Sequence, residues 1–393
     1  MNKNIYLIGL FLLASIPLLA QTGIDGVLKS IENNNKALQA GMLLNETQKF
    51  EARTGNYLPN PTVELNQLWA DRSDGGNVNE LAIIQAFDFP TVYSNKHKLS
   101  KLKSATSDYQ YAGTRQQILL TAQQTCLEII YLRKQKTLLD NRLKNAQHLT
   151  ELYHQRLTSG DANQMELNKI QLEKINAANA ARLNATALRS KLELLQSLNG
   201  GMPIAFTDEN FPLSSTLPAY TQLEADYLSA DPTLKTLSGE AESDRREIKV
   251  SRALTLPKFD IGYRRNGGSN EKLNGFRVGM SIPLWENKNT VKRAKAQAAY
   301  SAIQVDDNTL TLKTNLRELY LQAEALRNSR DEYAQALSTQ RSEELLNKAL
   351  EAGQISTIEY FVEITLLYDS LQNYLDVEKE YNTTVATLLQ FKL

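Results

Sequence analysis

The segment that most constrains this chain is a long stretch without helix-breaking residues. Residues 94–158 contain no proline and a single glycine, Gly113. As one α-helix these 65 residues would be roughly 98 Å long, at about 1.5 Å per residue. No single core built by a chain of 393 residues buries a helix of that length. We therefore expect helices that pack lengthwise against other helices.

Apolar residues in the long segments recur with the period of a coiled coil. Between Val305 and Leu337, positions spaced alternately by four and three residues read V, T, L, L, L, A, L, R, Y, L. A similar series runs from Ile118 to Leu157. A sustained spacing of about 3.5 residues is typical of helices that pack as coiled coils. The long segments are therefore predicted to form coiled-coil pairs.

Two shorter regions, 61–89 and 257–284, alternate between apolar and polar residues as β-strands do. In the second region one face is apolar and the other is polar or small; the residues expected on the polar face are Asp260, Gly262, Arg264, Arg277, Gly279 and Ser281. The segments 71–77 and 265–275 between the paired strands are rich in Gly, Asn and Asp, which favour hairpin turns. Each region is therefore predicted to form a β-hairpin.

The order of these patterns occurs twice along the chain. Pro90 and Gly160 recur as Pro283 and Gly353, each 193 positions later. This spacing predicts an internal duplication. The first repeat would span residues 21–200, with a helix, the β-hairpin 61–89 and a long helical hairpin 94–199. The second would span 201–393, with a helix, the β-hairpin 257–284 and a long helical hairpin 289–390.

The N-terminus and the charge balance limit the compartment and the partners. Residues 1–20, with Lys3, an apolar run and a final Ala20, predict a secretory signal peptide. Cys126 is the sole cysteine, so an exported form would fold without an internal disulfide. Without Lys3, 43 basic and 44 acidic residues remain, which argues against a nucleic-acid partner.

These patterns together favour a membrane channel shared by several copies of the chain. Beyond residue 20 the sequence has no run of 18 apolar residues, so a membrane-crossing part would have to be a closed β-barrel. Four strands are too few, because barrels in lipid begin at about eight. Identical copies would then complete the barrel, with apolar strand faces against outer-membrane lipid. The residues expected to line the channel are Asp260, Arg264, Arg277 and Ser281. Arg264, Arg265 and Arg277 predict a positively charged lumen or rim, although exposed loop arginines would give the same pattern.

The strand–proline junctions Phe89-Pro90 and Ile282-Pro283, and the turns TSGDANQMEL and AGQISTIEY, give the chain a resemblance to a known family. The chain resembles the TolC-like outer-membrane efflux proteins over nearly its whole length after residue 20. The resemblance implies a mainly α-helical homotrimer with a twelve-stranded membrane β-barrel, four strands per chain, continued by a helical coiled-coil tunnel. It implies a place in the outer membrane of a Gram-negative bacterium, extending into the periplasm.

The resemblance also implies a function and partners. The chain would be the passive exit duct of a tripartite efflux pump, with a periplasmic adaptor and an inner-membrane transporter, expected to be of the RND type. The residues that would form the adaptor-docking tips are Gly160, Asp161, Gly353 and Gln354. In the family, acidic residues just after the tip glycine ring the closed end of the tunnel. The resemblance therefore implies that Glu359 forms the gate, with Glu166 as the second candidate.

Two positions depart from the family pattern at this gate. Ile355 stands where the best-known member has a basic residue, and Val362 stands where the family has a second ring acid. Glu166 and Glu359 have an equally good alternative reading, as acids that stabilise the first turn of a helix through its dipole.

No catalytic motif, cofactor site or metal site is predicted, so we do not expect an enzyme. His97, His148 and His154 are expected on the surface, since their spacing forms no ligand set on one helix face. Cys126 is expected to be a small core residue. Four aromatic residues fit either an interfacial girdle or simple packing; these are Trp69, Trp285, Tyr263 and Tyr93.

Two other functional classes remain open from the sequence. A periplasmic adaptor or structural protein would also carry long helical hairpins, but it would not need the two hairpins of alternating residues. A type I protein secretion duct would share the whole architecture. The stretch FDFPTVYSNKHKL resembles the heavy-metal-efflux branch of the family, but three His, five Met and one Cys form no visible series of metal ligands. The sequence therefore leaves the cargo open, with heavy-metal or drug export as the candidates.

Overall fold

The structure, a computed structural model, describes residues 23–69, 76–212, 217–268, 272–338 and 342–393. The predicted signal peptide, residues 1–20, lies outside the described residues. The chain divides into two compact units. Unit 1 comprises described residues up to Asn34, 122–212 and 346–375, and unit 2 comprises the remainder.

The chain is mainly helical with one small antiparallel sheet, which confirms this part of the predicted fold class. The first half contains the helices α1 Ile24–Asn34, α2 Lys36–Arg53, α3 Pro90–Ser159 and α4 Gln164–Leu198, and the strands β1 Thr62–Leu68 and β2 Val78–Phe87. The second half contains α5 Tyr220–Ala230, α6 Pro232–Ala253, β3 Lys258–Gly267, β4 Lys272–Ser281, α7 Thr290–Ser338, α8 Ser342–Glu351 and α9 Thr357–Leu388, then a 3₁₀ turn Gln390–Lys392.

Each half begins with two short helices where the sequence predicted one. Asn35 separates α1 from α2, and Asp231 separates α5 from α6. Each side chain caps the second helix, because its oxygen accepts a hydrogen bond from the backbone N–H of Leu38 (3.0 Å) or Leu234 (2.8 Å). Both halves thus begin with two helices, the second of them capped in this way, followed by two strands and a long helix. After that helix the first half has α4, and the second half has α8 and α9. The duplication itself stays a prediction.

The two strand–proline junctions differ in structure. Pro90 is the first residue of α3, where its missing N–H and fixed φ suit the first helical turn. Pro283 is followed by turn residues, and α7 begins only at Thr290. Asn289, just before α7, has a φ of 69°. The helix after the second junction therefore begins seven residues beyond Pro283, whereas α3 begins at Pro90 itself.

The predicted coiled-coil spacing matches the burial of the long helices. Every position of the series from Val305 to Leu337 on α7 is buried or half-buried. In the series from Ile118 to Leu157 on α3, Lys136 alone is exposed. The apolar period therefore marks the faces along which these helices pack.

Unit 1 contains the C-terminal part of α3, with α1, α4 and most of the α8–α9 hairpin. Tyr131, Leu132 and Leu375 form one of its buried clusters. Cys126 is fully buried, as predicted, and this burial raises the pKa of its thiol to about 12. A thiol with so high a pKa is inert at neutral pH.

Unit 2 contains the sheet, whose strand order is β1-β2-β3-β4 with every pair antiparallel. The β2–β3 pair joins the two halves of the chain within one sheet. α7 packs against α5 and α6. One buried cluster of this unit comprises Leu223, Tyr227, Leu316, Ala323 and Leu388.

In the part of the chain that the structure describes, no helix is both long enough and apolar enough to cross a membrane.

Candidate functional site

The strand register sorts the sheet residues onto two faces of opposite character. Asp260 lies opposite Gly279, and Phe259 opposite Met280, so directly paired residues share a face. The polar face carries Thr62, Glu64, Asn66, Leu68, Val78, Glu80, Ala82, Ile84, Ala86, Lys258, Asp260, Gly262, Arg264, Asn266, Leu273, Gly275, Arg277, Gly279 and Ser281. The apolar face carries Val63, Leu65, Gln67, Asn79, Leu81, Ile83, Gln85, Phe87, Phe259, Ile261, Tyr263, Arg265, Gly267, Lys272, Asn274, Phe276, Val278 and Met280.

The structure places the four predicted channel-lining residues together on the polar face. Both arginines among them pair with a carboxylate of the same face. The guanidinium of Arg264 donates to Glu80 Oε2 at 2.7 Å, and Arg277 Nε lies 3.2 Å from Asp260 Oδ1. Ser281 lies opposite Lys258. The face holds three acids, Glu64, Glu80 and Asp260, and three cations, Lys258, Arg264 and Arg277. The described strand residues of this face therefore carry no surplus of positive charge, and a positively charged rim stays a prediction.

A glycine makes room for one of these ion pairs. Gly279 faces Asp260, and a Cβ atom at position 279 would overlap the Asp260 carboxylate. The tiny residue that the sequence places on the polar face thus leaves space for the Asp260 side chain.

The apolar face of the sheet is exposed to an unusual degree for large apolar residues. Phe276 is 93% exposed, Val278 79% and Leu65 78%. Apolar patches of this kind mark surfaces that contact another protein or a membrane. The first hairpin contributes Val63, Leu65, Leu81, Ile83 and Phe87 to the same face.

The sheet is open at both sides within the described residues. β1 pairs only with β2, and β4 pairs only with β3 in this part of the chain. An open edge in hydrocarbon would leave unpaired N–H and C=O groups at several kcal/mol each.

The two helix tips of unit 1 have the same backbone structure. Gly160 has a φ of 81° and Gly353 a φ of 70°, the left-handed conformation that glycine adopts without penalty. The N–H of Asp161 donates to the carbonyl of Arg156, and that of Gln354 to the carbonyl of Ala349, both at 2.8 Å. Each tip is therefore a Schellman turn, and Gly160, Asp161, Gly353 and Gln354 lie at the reversals between helices.

Glu166 and Glu359 both belong to capping boxes at the helix starts that follow these turns. Glu166 accepts from the N–H of Asn163 at 3.0 Å, and Glu359 accepts from the N–H of Ser356 at 2.8 Å. In return, the side chains of Asn163 and Ser356 accept from the N–H groups of the glutamates. These hydrogen bonds lower the pKa of both carboxyls. The helix-start reading therefore describes what both carboxylates do within the chain.

Glu166 makes one further contact that Glu359 lacks among the described interactions. Thr357 Oγ1 donates to Glu166 Oε1 at 2.8 Å, and Tyr153 OH donates to Thr357 Oγ1 at 2.7 Å. This hydrogen-bond chain joins α3, α4 and α9. These two contacts had no signal in the sequence, because the partners lie about two hundred positions apart.

We expect Thr357→Val to weaken this junction by about 1–2 kcal/mol, since it removes two hydrogen bonds while keeping the side-chain shape. The pKa of Glu166 is lower in the folded chain than in the unfolded chain. The ionised carboxylate therefore adds to the free energy of unfolding above the unfolded pKa, and this addition is lost as pH falls through the folded pKa. The stability gap between wild type and variant should therefore narrow from pH 7 to pH 3. Thermal unfolding at the two pH values measures this gap. Thr357→Ser, which keeps the hydroxyl, is the control, and a gap independent of pH contradicts the prediction.

An apolar groove lies beside the tips, between α4 and α9. Its volume is about 910 Å³. Met165, Leu172, Ile358 and Val362 line it, and each is more than half exposed. Val362, at the position of the family's second ring acid, is thus an apolar groove residue here. Ile355 lies in the turn between α8 and α9.

The remaining candidate residues have ordinary surroundings. His97, His148 and His154 are exposed, as expected, and His148 Nε2 lies 3.0 Å from Glu351 Oε1. Groups of His, Cys, Asp or Glu that could hold a metal ion are absent from the described residues. Trp69 and Trp285 are exposed, whereas the Tyr93 hydroxyl accepts from the N–H of Asp88.

No protein-family profile matches this sequence. No curated protein matches it at a significant level.

Solved structures show a clear likeness in fold. CusC is similar with a TM-score of 0.80 and 13% identity, covering 95% of this chain and 92% of that one. A membrane protein from Pseudomonas aeruginosa gives a TM-score of 0.79 and 14% identity, covering 94% and 89%. The outer membrane protein VceC from Vibrio cholerae gives 0.78 and 11%, covering 94% and 95%. Since the CmeC and MtrE outer membrane channels also match, this chain has the fold of the TolC-like outer-membrane efflux channels.

Proposed function

We propose that the chain is the outer-membrane channel of a tripartite efflux pump. It acts as a passive exit duct for substrates delivered by an inner-membrane transporter and a periplasmic adaptor. The observation that carries this proposal is the sheet, which has one exposed apolar face, one charge-balanced polar face and two open edges. The likeness in fold to outer membrane channels supports the same reading.

The duct is formed by three copies of the chain. Four strands with open edges call for identical neighbours, and three copies give a twelve-stranded barrel. In an antiparallel sheet of four strands, β1 and β4 run in opposite directions, so β4 of one copy can pair antiparallel with β1 of the next. The apolar face then meets lipid, and the polar face with Asp260, Arg264, Arg277 and Ser281 lines the lumen. The long helices continue the duct into the periplasm.

The helix tips and the groove beside them form the adaptor-docking end. The Schellman turns at Gly160–Asp161 and Gly353–Gln354 present short, rigid reversals. The apolar groove between α4 and α9 offers the kind of surface on which an amphipathic helix binds. The transporter is of the RND type, and the cargo is a heavy metal or a drug.

Membrane assembly and conductance test the proposal. The purified protein should migrate as a heat-modifiable trimer from the outer-membrane fraction and should form single channels in planar bilayers. A soluble periplasmic monomer that forms no channels would contradict the proposal and favour an adaptor or structural protein. Sensitivity of a deletion strain to zinc, copper, silver, dyes and detergents identifies the cargo. Unchanged sensitivity to all of them, with channels present, favours a type I secretion duct.

The gate of the duct is assigned to Glu359, with Glu166 second. Three copies of an exposed carboxylate at a narrow point favour cations over anions. Glu166 already accepts hydrogen bonds at both oxygens within its own chain. We therefore expect Glu359→Gln to lower the cation preference of the channel severalfold and Glu166→Gln to lower it less. Reversal potentials in a KCl gradient measure the preference. An unchanged reversal potential for Glu359→Gln rules out its gate role.

A further inference from the structure

The charges on the apolar face of the sheet are confined to one end and have one sign. Among the paired strand residues that the structure describes, this face carries no acid, and its two cations, Arg265 and Lys272, lie beside the hairpin turn between β3 and β4. The polar face, by contrast, has equal numbers of acids and cations. The cationic end is therefore a local property of one face and does not follow from the overall charge of the sheet.

The two cations lie close to each other and to an amide donor. Arg265 pairs directly with Asn274, and Lys272 precedes Asn274 by two residues on the same face. Such diagonal neighbours are about 7–8 Å apart at their Cα atoms, within reach of one anion for two long side chains. Tyr263 OH donates to Asn274 Oδ1 at 3.1 Å, which leaves the Asn274 Nδ2 hydrogens for an outside acceptor.

These donors are not occupied by carboxylates of the described chain. All three side chains are exposed, and neither Arg265 nor Lys272 has an ion-pair partner among the described residues. Arg264, one residue away on the other face, is paired with Glu80. The two neighbouring arginines therefore differ: Arg264 has a carboxylate partner on its face, and Arg265 has none among the described residues.

The position of the cations matches the boundary between apolar and polar surface. Next to Arg265 on the same face is Tyr263, whose ring contacts Phe276, and beyond it the residues of β3 and β4 on this face are apolar. Tyrosine followed by a basic residue is the order found where hydrocarbon gives way to lipid headgroups. If the sheet spans the outer membrane, as proposed above, the hairpin ends lie opposite the ends that lead into the helices, and thus in the outer leaflet.

We propose that Arg265, Lys272 and Asn274, here called the headgroup cluster, bind the phosphate of a lipid headgroup. The planar guanidinium of Arg265 provides two parallel N–H donors to phosphate oxygens, and Lys272 provides a point charge. Asn274 adds a neutral donor between them. This inference rests on the proposed function, because it needs the apolar face to meet lipid.

The test measures the affinity of the detergent-purified protein for diphosphorylated lipid A, for the same lipid without phosphates, and for inorganic phosphate. Native mass spectrometry counts the retained lipid. We expect Arg265→Gln/Lys272→Gln to lower the affinity for diphosphorylated lipid A about 30-fold. Removing the phosphates should lower wild-type affinity similarly and should leave the double variant unaffected. Arg264→Gln, the matched change on the opposite face, should retain the preference for phosphate.

Three results would each contradict the proposal that the headgroup cluster binds a lipid phosphate. One is equal affinity of wild type and double variant for diphosphorylated lipid A. Another is displacement of the lipid by inorganic phosphate at similar concentration, which would make this a free-anion site. The third, which needs no variant to fold, is a wild-type protein that fails to distinguish the two lipids. Planar-bilayer recordings distinguish failure of this proposal from failure of the proposed function. If the protein forms channels but shows no preference for the phosphorylated lipid, only the lipid-binding proposal is wrong. If it forms no channels, both proposals are wrong.

Discussion

Val278→Arg should prevent the protein from accumulating as an outer-membrane trimer. Val278 lies on the apolar face of β4 and is 79% exposed in the single chain. If this face meets lipid, an arginine near the bilayer midplane costs about 2–4 kcal/mol per chain, or about 6–12 kcal/mol for three copies. Heat-modifiable trimer in the outer-membrane fraction measures the loss, and we expect less than about a tenth of the wild-type amount.

Gly275→Arg is the matched control for this prediction. It adds the same side chain to the same strand but on the polar face, where a Cβ atom has open space around it. If the polar face lines a water-filled lumen, as proposed, water solvates the added charge, and we expect near-normal trimer. Equal trimer levels for the two variants would mean that the apolar face does not contact lipid.

Gly200→Ala should destabilise unit 1 by about 3 kcal/mol or more. Gly200 has a φ of 68°, and an added Cβ atom would overlap the carbonyl oxygen of Asn34 at the end of α1. The left-handed conformation costs alanine about 1 kcal/mol. Moving α1 away also endangers the two hydrogen bonds from Ser30 (2.9 Å) and Asn34 (3.1 Å) to Asn199, at about 1 kcal/mol each.

Gly201→Ala separates the backbone effect from the overlap. Gly201 has a φ of 84°, but a Cβ atom there meets nothing within 4 Å. We expect it to cost only about 1 kcal/mol. Urea unfolding in detergent compares the two variants. Similar urea midpoints for the two variants would show that α1 moves away from position 200 without a loss of stability.

Local patterns predicted the elements of this fold well, because they depend on neighbouring residues. The helical stretch 94–158 became α3 with four extra residues before it, starting at Pro90. The alternation of Phe276, Val278 and Met280 gave the correct face of β4. The repeated helix break at Asn35 and Asp231 was missed, since a cap residue inside an apolar helical pattern is a weak signal.

The candidate site was only partly predictable. The resemblance to the TolC-like family pointed to Glu166 and Glu359 through their place after the tip glycines, and their position near helix starts predicted the capping alternative. It gave no sign of the hydrogen bond from Thr357, which distinguishes Glu166 from Glu359. It also grouped Arg265 with Arg264 and Arg277, although strand alternation puts Arg265 on the other face.

The sequence by itself determined the long helices, the two alternating hairpins and the glycine turns, because each follows from steric and solvation preferences within a few residues. Only the tertiary structure decided which side chains meet. The pairing of β2 with β3 brings Glu80 to Arg264, 184 positions away, and the packing of α4 near α9 brings Glu166 to Thr357, 191 positions away. Such contacts depend on which strand or helix lies beside which, and short-range patterns in the chain do not encode that choice.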